Sequence, residues 1–532
     1  FLGENARSSH RIKTSGFDLS LLNQHLKEYG CLFILSGALT ADLKIETGGG
    51  ARSLQGKVKT HGLFLTADSD NPYAIVSDGN FKADINASSD DKKALTEIKN
   101  FSLKDKNIDI SFSAKKQDLG KENIFSLDFG VKEMNLSRVS EYLTPLKGVT
   151  YSGEASWNGS IYIDSKNDSA SKMNVSGYVK NFSMSGDGIE PYRISKGSLD
   201  LGINDRKAEL TSSFMLSGSD IKIGVKSTID KFTPIKSESQ IKIESQKLAA
   251  FILKDLALFG ISSLYDAAYE DQKKGYYDNV SFLTKPAAPV IKNNNVKLEW
   301  RSDKITLGKA SLLGLELKAS LTNGTMLVNS FDLSGYGGAY NLEFMGFLDR
   351  DYPYFKLRGG VSHFSLDEFS NDLNASYSFG GTMDADCDYG TGASRMFHIL
   401  QNTIGGISLN IASGQMKGLP VQRRLNEWLH KNGYTGINLN DIQLNAFNVN
   451  LVQTADKYSF RRLYLSSDAA DFSGYGEYGY QSGVSVPLHM VIRDKSNARR
   501  EAQVSLTGPL MNPGLRFNRK GSEPLKLFEN VE

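Results

Sequence analysis

The chain has 532 residues, room for about three or four domains or for one long repetitive body. Apolar residues make up 40% and charged residues 23%, a balance that suits a folded chain and argues against a disordered tail or a multi-span membrane protein. The formal charge of +2 leaves no basic excess to collect nucleic-acid phosphates, and two cysteines, Cys31 and Cys387, supply neither a disulfide framework nor a four-cysteine zinc site.

The 50 glycines against 12 prolines punctuate many short strands joined by tight turns. In chain order, the first helical signal is Phe17-Asp-Leu-Ser-Leu-Leu22, running to Leu26. A period-2 stretch follows, with Leu39, Ala41, Leu43 and Ile45 against Thr40, Asp42, Lys44 and Glu46. The next places Phe125, Leu127, Phe129 and Val131 against Ser126, Asp128 and Gly130. Met134-Asn-Leu-Ser-Arg-Val139 then repeats the helical phrase, and Ile221, Ile223 and Val225 resume the alternation. A weaker copy of the phrase sits at Phe251–Leu256, where Ile252 cannot cap. Leu315, Leu317, Ala319 and Leu321 alternate again before Phe364-Ser-Leu-Asp-Glu-Phe369 restates the phrase. Further on, Val421 to His430 reads as an amphipathic helix whose apolar stripe of Leu425, Trp428 and Leu429 is expected to pack on a sheet, the alternative being a membrane surface. Phe447, Val449 and Leu451 alternate with Asn448 and Asn450. Each alternating stretch has one apolar and one wet face, the pattern of antiparallel strands solvated on one side.

The three strong phrases start at residues 17, 134 and 364, so 117 and 230 residues apart, close to one and two units of a long internal repeat. In each, Asp18, Asn135 or Ser365, or else Ser20, Ser137 or Asp367 just after, is placed to cap a short helix, and glycines at 37, 153 and 380–381 mark the return to strand. The expected fold is therefore mainly β: an elongated, curled antiparallel sheet, a β-groove, built from strand-rich units with a few short amphipathic helices. The expected units are 1–133, 134–250, 251–363 and 364–532.

Motifs with chemistry are scarce. The seven histidines are scattered, and nothing supplies a nucleophile and a base together, so no catalytic residue, cofactor or metal is expected. Gly474-Tyr-Gly-Glu-Tyr-Gly479 spells a dinucleotide fingerprint, yet its tyrosines and Val484 point to a bent strand rather than a strand-to-helix turn. Asp384, Asp386 and Asp388 spell the start of a calcium loop, but Tyr389 and Arg395 stand where glycine and a bidentate glutamate are needed. A strand with its aspartates in solvent is expected there. Lys495, Arg499 and Arg500 read as a solvated basic hairpin, the alternative being a patch that meets anionic lipid or a partner. No stretch reaches the 18 or so apolar residues of a spanning helix, and a start at Phe1 instead of Met suggests a piece of a longer precursor whose anchor is missing.

Over roughly residues 290 to 520 the order of motifs resembles the AsmA-like family of bacterial envelope proteins, which includes TamB and YhdP. The run is Leu333-Ser-Gly-Tyr-Gly-Gly338, then Phe364–Phe369, Ser394–Gln401, Gly405-Gly-Ile-Ser-Leu409, Gly414–Leu419 and the helix through Trp428. It continues through Leu463-Tyr-Leu465 and Ser473-Gly-Tyr-Gly476 to Gly508-Pro-Leu-Met-Asn-Pro513. The resemblance implies a periplasmic protein of the bridge-like lipid-transfer type, anchored at the inner membrane in its full length. Such a protein carries phospholipid acyl chains along a hydrophobic β-groove between inner and outer membrane and supports outer-membrane lipid homeostasis. Phospholipid, a membrane and envelope proteins are then the expected partners, and nucleic acid is not. The lipid-facing candidates are the apolar members of the alternating stretches: Leu39, Leu43, Ile45, Phe125, Leu127, Phe129, Ile221, Ile223, Val225, Leu315, Leu317, Leu321, Phe447, Val449 and Leu451. The alternative reading of the same residues is a non-catalytic β-solenoid or sandwich, an envelope scaffold or adhesin whose alternation is ordinary core.

Overall fold

A computed structural model describes residues 7–23, 34–66, 74–91, 94–104, 108–118, 123–139, 149–186, 192–232, 235–252, 294–347, 354–373, 378–392, 402–418, 420–434, 437–454, 457–479, 483–493, 499–508, 514–517 and 525–526. The fold is mainly β, and its strands pair almost wholly antiparallel. The chain divides into an N-terminal unit, Phe1–Glu244, and a C-terminal unit, Ser245–Glu532.

In the N-terminal unit, strands from Ser8–Asp18 to Ile235–Ser245 pair mostly with their chain neighbours, as tight turns dictate. One exception is Ala51–Thr66, long enough to pair with Ala74–Gly79 near one end and with Lys82–Asp90 near the other. The sequence explains the strand interiors: apolar residues at alternate positions are half-buried while their neighbours are exposed, as in Lys207–Leu216.

The repeated helical phrase is one physical device used three times. After Asp18, whose carboxylate accepts from the Ser20 N–H at 2.9 Å, comes a 3-10 turn, Leu19–Leu22. Helix α1, Leu136–Val139, follows Asn135, whose side-chain oxygen accepts from the Ser137 N–H at 3.1 Å. Helix α2, Leu366–Leu373, follows Ser365, whose Oγ accepts from the Glu368 N–H at 3.3 Å. The returning strand then carries a glycine in the left-handed region, Gly37, Gly153 or Gly381, with φ of +111°, +128° and +114°. A Cβ at Gly153 would stand 2.8 Å from the Lys180 carbonyl oxygen, and one at Gly381 2.7 Å from the Gly414 Cα. Glycine is therefore needed for close strand approach as well as for dihedral freedom. Register shifts accompany these returns at Ser36/Ala38 and Lys180/Ser183, and bulges of this kind add local twist to a sheet. Of the weaker copy at Phe251–Leu256, Ile252 is buried and residues 253–256 lie outside the described residues.

In the C-terminal unit, strands from Asn295–Leu307 to Gly514–Phe517 again run antiparallel, and Leu248–Ala249 pairs in parallel with Asn295–Leu307. Tyr336 and Gly337 both have positive φ, the two-residue hairpin geometry that suits right-handed strand twist, and they turn Thr325–Gly335 into Gly338–Phe347. Helix α3, Pro420–Lys431, starts at a proline and ends before Gly433, whose φ is +86°. Its Trp428 and Leu429 join a core of Ile437, Leu439, Val486, Leu488, Met490, Val504 and Phe517, so the helix lies with its apolar stripe on the sheet, as its pattern predicts. Among the described residues no helix is long and apolar enough to cross a membrane.

Candidate functional site

Residues directly opposite each other in an antiparallel ladder face the same side, so the register converts local alternation into rows that run across the sheet. In the N-terminal unit one row passes through twelve strands as Ala41, Val58, Ala83, Leu103, Ile110, Val131, Trp157, Gly177, Leu201, Leu210, Val225 and Ile241. No polar side chain interrupts it. At about 4.8 Å per strand the row is about 50 Å long measured along the sheet. A parallel row carries Ile12, Leu43, Gly56, Ile85, Phe101, Phe112, Phe129, Gly159 and Val175, and a third carries Ile45, Leu54, Ala87, Ile98, Ala114, Leu127, Ile161 and Met173. The three rows lie about 7 Å apart, two residues along each strand.

The opposite face is as polar as this one is apolar. Lys13, Asp42, Lys57, Asp84, Ser102, Ser111, Gly130, Asn158, Ser176, Gly202, Glu209, Lys226 and Gln240 are paired in turn across the same strands. Arg11 grips Asp42 with two bonds of 2.7 Å, and that guanidinium holds the Asp42 carboxyl down to about 2. In the C-terminal unit, a shallow depression of about 440 Å³ lies beside Asn341, Glu343, Arg358, Asp386, Asp388 and Asn450. The sequence Asp384, Asp386, Asp388 lies in the strand Thr382–Gly392, where Arg358 binds Asp388 at 2.7 Å and the His363 N–H donates to Asp384 at 2.8 Å. Gly474, Gly476 and Gly479 lie in the strand Ala470–Gly479, beside a register shift in its partner at Phe460/Leu463.

Among the described residues, no second layer closes over the apolar rows of the N-terminal unit. Its buried apolar side chains among the described residues are Leu19, Ala41, Ile108, Ala155, Val175, Ile221 and Phe232, and Ile12 remains 48% exposed. Glycines in the rows hold the aromatic rings flat. A Cβ at Gly177 would come within 2.2 Å of the Trp157 ring and one at Gly159 within 3.0 Å of Phe129, while Phe101 and Phe112 meet with centroids 4.7 Å apart.

Of the sequence-derived candidates, Leu43, Phe129 and Ile45, Leu127 fall in the second and third rows. Val225 falls in the first, with Ile223 and Ile221 on the same face of its strand. Phe125 pairs with Lys116 and Ile163 at the margin, and Leu39 pairs with Phe17 and Thr60. Ile221 and Leu315 are buried, whereas Leu317 and Leu321 are half-buried opposite Trp300 and Val296. Phe447, Val449 and Leu451 stand opposite Ile411, Leu409 and Ile407. Most row members, among them Val58, Leu103, Trp157 and Leu201, escaped the sequence reading; small or polar residues on the same face, Gly56 and Thr60 beside Val58 and Ala155 and Gly159 beside Trp157, weaken the apolar pattern there. No known family model matches the chain, and no curated protein matches its sequence.

Proposed function

We propose that the chain binds lipid acyl chains on the apolar face and passes them along it, as a non-catalytic lipid-transfer protein. The observation that carries this reading is the uninterrupted row from Ala41 to Ile241, whose members on the eleven strands after Ala41 are all half-buried. A sandwich or solenoid core would seal such a row under a second layer. Covering it with an acyl chain is favourable by about 0.8 kcal/mol per CH₂, on the order of 12 kcal/mol gross for a chain of about 16 carbons. Half of a bilayer's hydrocarbon core of about 30 Å is far shorter than the row, so several lipids can follow one another, and the exposed polar face leaves the protein hydrated. Exchange along a continuous apolar path needs no catalytic group. The resemblance to AsmA-like proteins supports a phospholipid cargo, a periplasmic location and a bridge between two membranes.

The test compares Val58→Glu with Lys59→Gln, neighbours on opposite faces of one strand, for co-purifying phospholipid and thermal midpoint. Val58→Glu should lose most bound lipid while keeping its fold, because a charge on an open face stays hydrated when lipid is absent. A parent protein that never carries or transfers lipid, together with a Val58→Glu variant that unfolds, would end this reading in favour of a closed scaffold.

A further inference from the structure

We infer that in the C-terminal unit the apolar path has a built-in end: helix α3 occupies the face over the last strands, so acyl chains reach Leu463 but not Leu488, Val504 or Phe517. The inference rests on the lipid-binding reading above. The row concerned runs Val449, Leu463, Gly474, Leu488, Val504, Phe517 by direct pairing. Its chemistry does not change along its length, but its exposure does. Val449 and Leu463 are half-buried, whereas Leu488 is 4%, Val504 0% and Phe517 4% exposed. They share one buried cluster with Trp428 and Leu429 of the helix and with Ile437 and Leu439 after it, and Leu463 packs at its rim; the Trp428 ring stacks on Phe517 at 4.2 Å between centroids and 13° between planes.

The helix is fastened along its length, which makes it a stop and not a flap. The Gln422 Nε2 donates to the Met416 carbonyl at 2.8 Å, and the Asn426 side-chain oxygen accepts from the Leu439 N–H at 2.9 Å. Past its C-terminus, the Tyr434 N–H donates to the Leu429 carbonyl at 3.0 Å, and the Tyr434 ring lies parallel to Phe517. A polar anchor such as Gln422, itself 3% exposed, is costly to release because its partner carbonyl would be left unpaired. Lipid at this end must therefore leave sideways, across the strand ends beside Val449 and Leu463, and not off the final strand.

The test leaves the protein unaltered. Phosphatidylglycerol vesicles carrying a diazirine in one acyl chain are incubated with the full chain and irradiated, and adducts are mapped by mass spectrometry. Adducts are expected on Asp441–Thr454 and Lys457–Ser467, with at least tenfold fewer on Gly483–Arg493 and Arg499–Gly508. Comparable yields on both sets would overturn the built-in end while leaving lipid binding intact. Absence of adducts everywhere, the N-terminal rows included, would overturn the lipid reading and this inference with it. Trp428→Ala, which loosens the helix, should raise adducts at Leu488 and Val504 at least threefold, and an unchanged map in a variant whose helix exchanges amide hydrogens faster would show that something other than α3 excludes lipid.

Discussion

The N-terminal rows and the last strands of the C-terminal unit are built from the same kind of sheet, yet one face is open and the other sealed. Val58, Leu103 and Leu201 alternate with exposed Lys57, Lys104 and Asp200 in the same way that Val486, Leu488 and Met490 alternate along their strand. The difference is a twelve-residue helix. Where α3 lies on the sheet, Leu429, Val486, Met490 and Val504 fall to 0% exposure; no such layer closes the rows of the N-terminal unit among its described residues. Alternation therefore specifies a strand with an apolar side, and what covers that side is decided elsewhere in the chain.

The largest expected effect breaks the sealed region. Val504→Asp would bury an unpaired charge beneath α3 and should destabilise the C-terminal unit by about 4 kcal/mol or more, whereas Leu201→Asp on an open row should cost no more than about 2 kcal/mol because water reaches the carboxylate. Urea unfolding followed by circular dichroism checks both, and equal losses would mean the N-terminal rows are closed. Next in size, Leu429→Ala should cost about 2 to 5 kcal/mol through the cavity it leaves. Smaller again is Gly177→Ala. Its methyl group must displace the Trp157 ring, at about 1 to 3 kcal/mol, and should shift Trp157 fluorescence measured with Trp300 and Trp428 replaced by Phe; an unmoved spectrum would show that the ring does not lie on Gly177.

Much of the fold is legible in the residues, and the reasons are local. The alternating stretches at 39–45, 125–131, 221–225 and 447–451 are central parts of Ile34–Gly48, Asn123–Asn135, Ser219–Phe232 and Asp441–Thr454. Asp18, Asn135 and Ser365 cap as their side chains predict. Alternation is lost where a bulge inserts one residue, as at Val131/Met134 and Val179/Phe182, and a single inserted residue moves every later side chain to the other face. The rows are less legible still. That Val58 faces Ala41 and Ala83 depends on turn lengths and register between strands, which no local pattern carries. The signal that existed was indirect: Gly159 and Gly177 stand beside Phe129 and Trp157 because a flat ring on a sheet needs a neighbour without a side chain.

The smallest expected effect concerns acid, and it tests whether open and sealed regions share the same fastening at their strand ends. Among the described residues each has one partly buried carboxylate–arginine pair. In the N-terminal unit Arg206 donates to Asp168 at 3.0 Å and the Phe232 N–H donates to it at 2.8 Å; in the C-terminal unit Arg493 and the Ser466 hydroxyl donate to Asp471. Burial pushes both carboxyls up, but these donors together outweigh it and hold both below the ordinary carboxylate value. A carboxyl lowered on folding takes up its proton more readily when unfolded, so its stabilisation is complete above its unfolded value near 3.9 and is lost as the pH falls through the lower folded value. Denaturation midpoints should then be insensitive to these two groups between about pH 5 and 7 and should drop below about pH 4. Asp168→Asn should remove on the order of 1 kcal/mol at pH 7, because Arg206 and Phe232 lose a charged acceptor, and should flatten the acid limb of the N-terminal unit alone. If the C-terminal limb flattens equally, the drop does not arise from Asp168, and the two strand ends are not fastened independently.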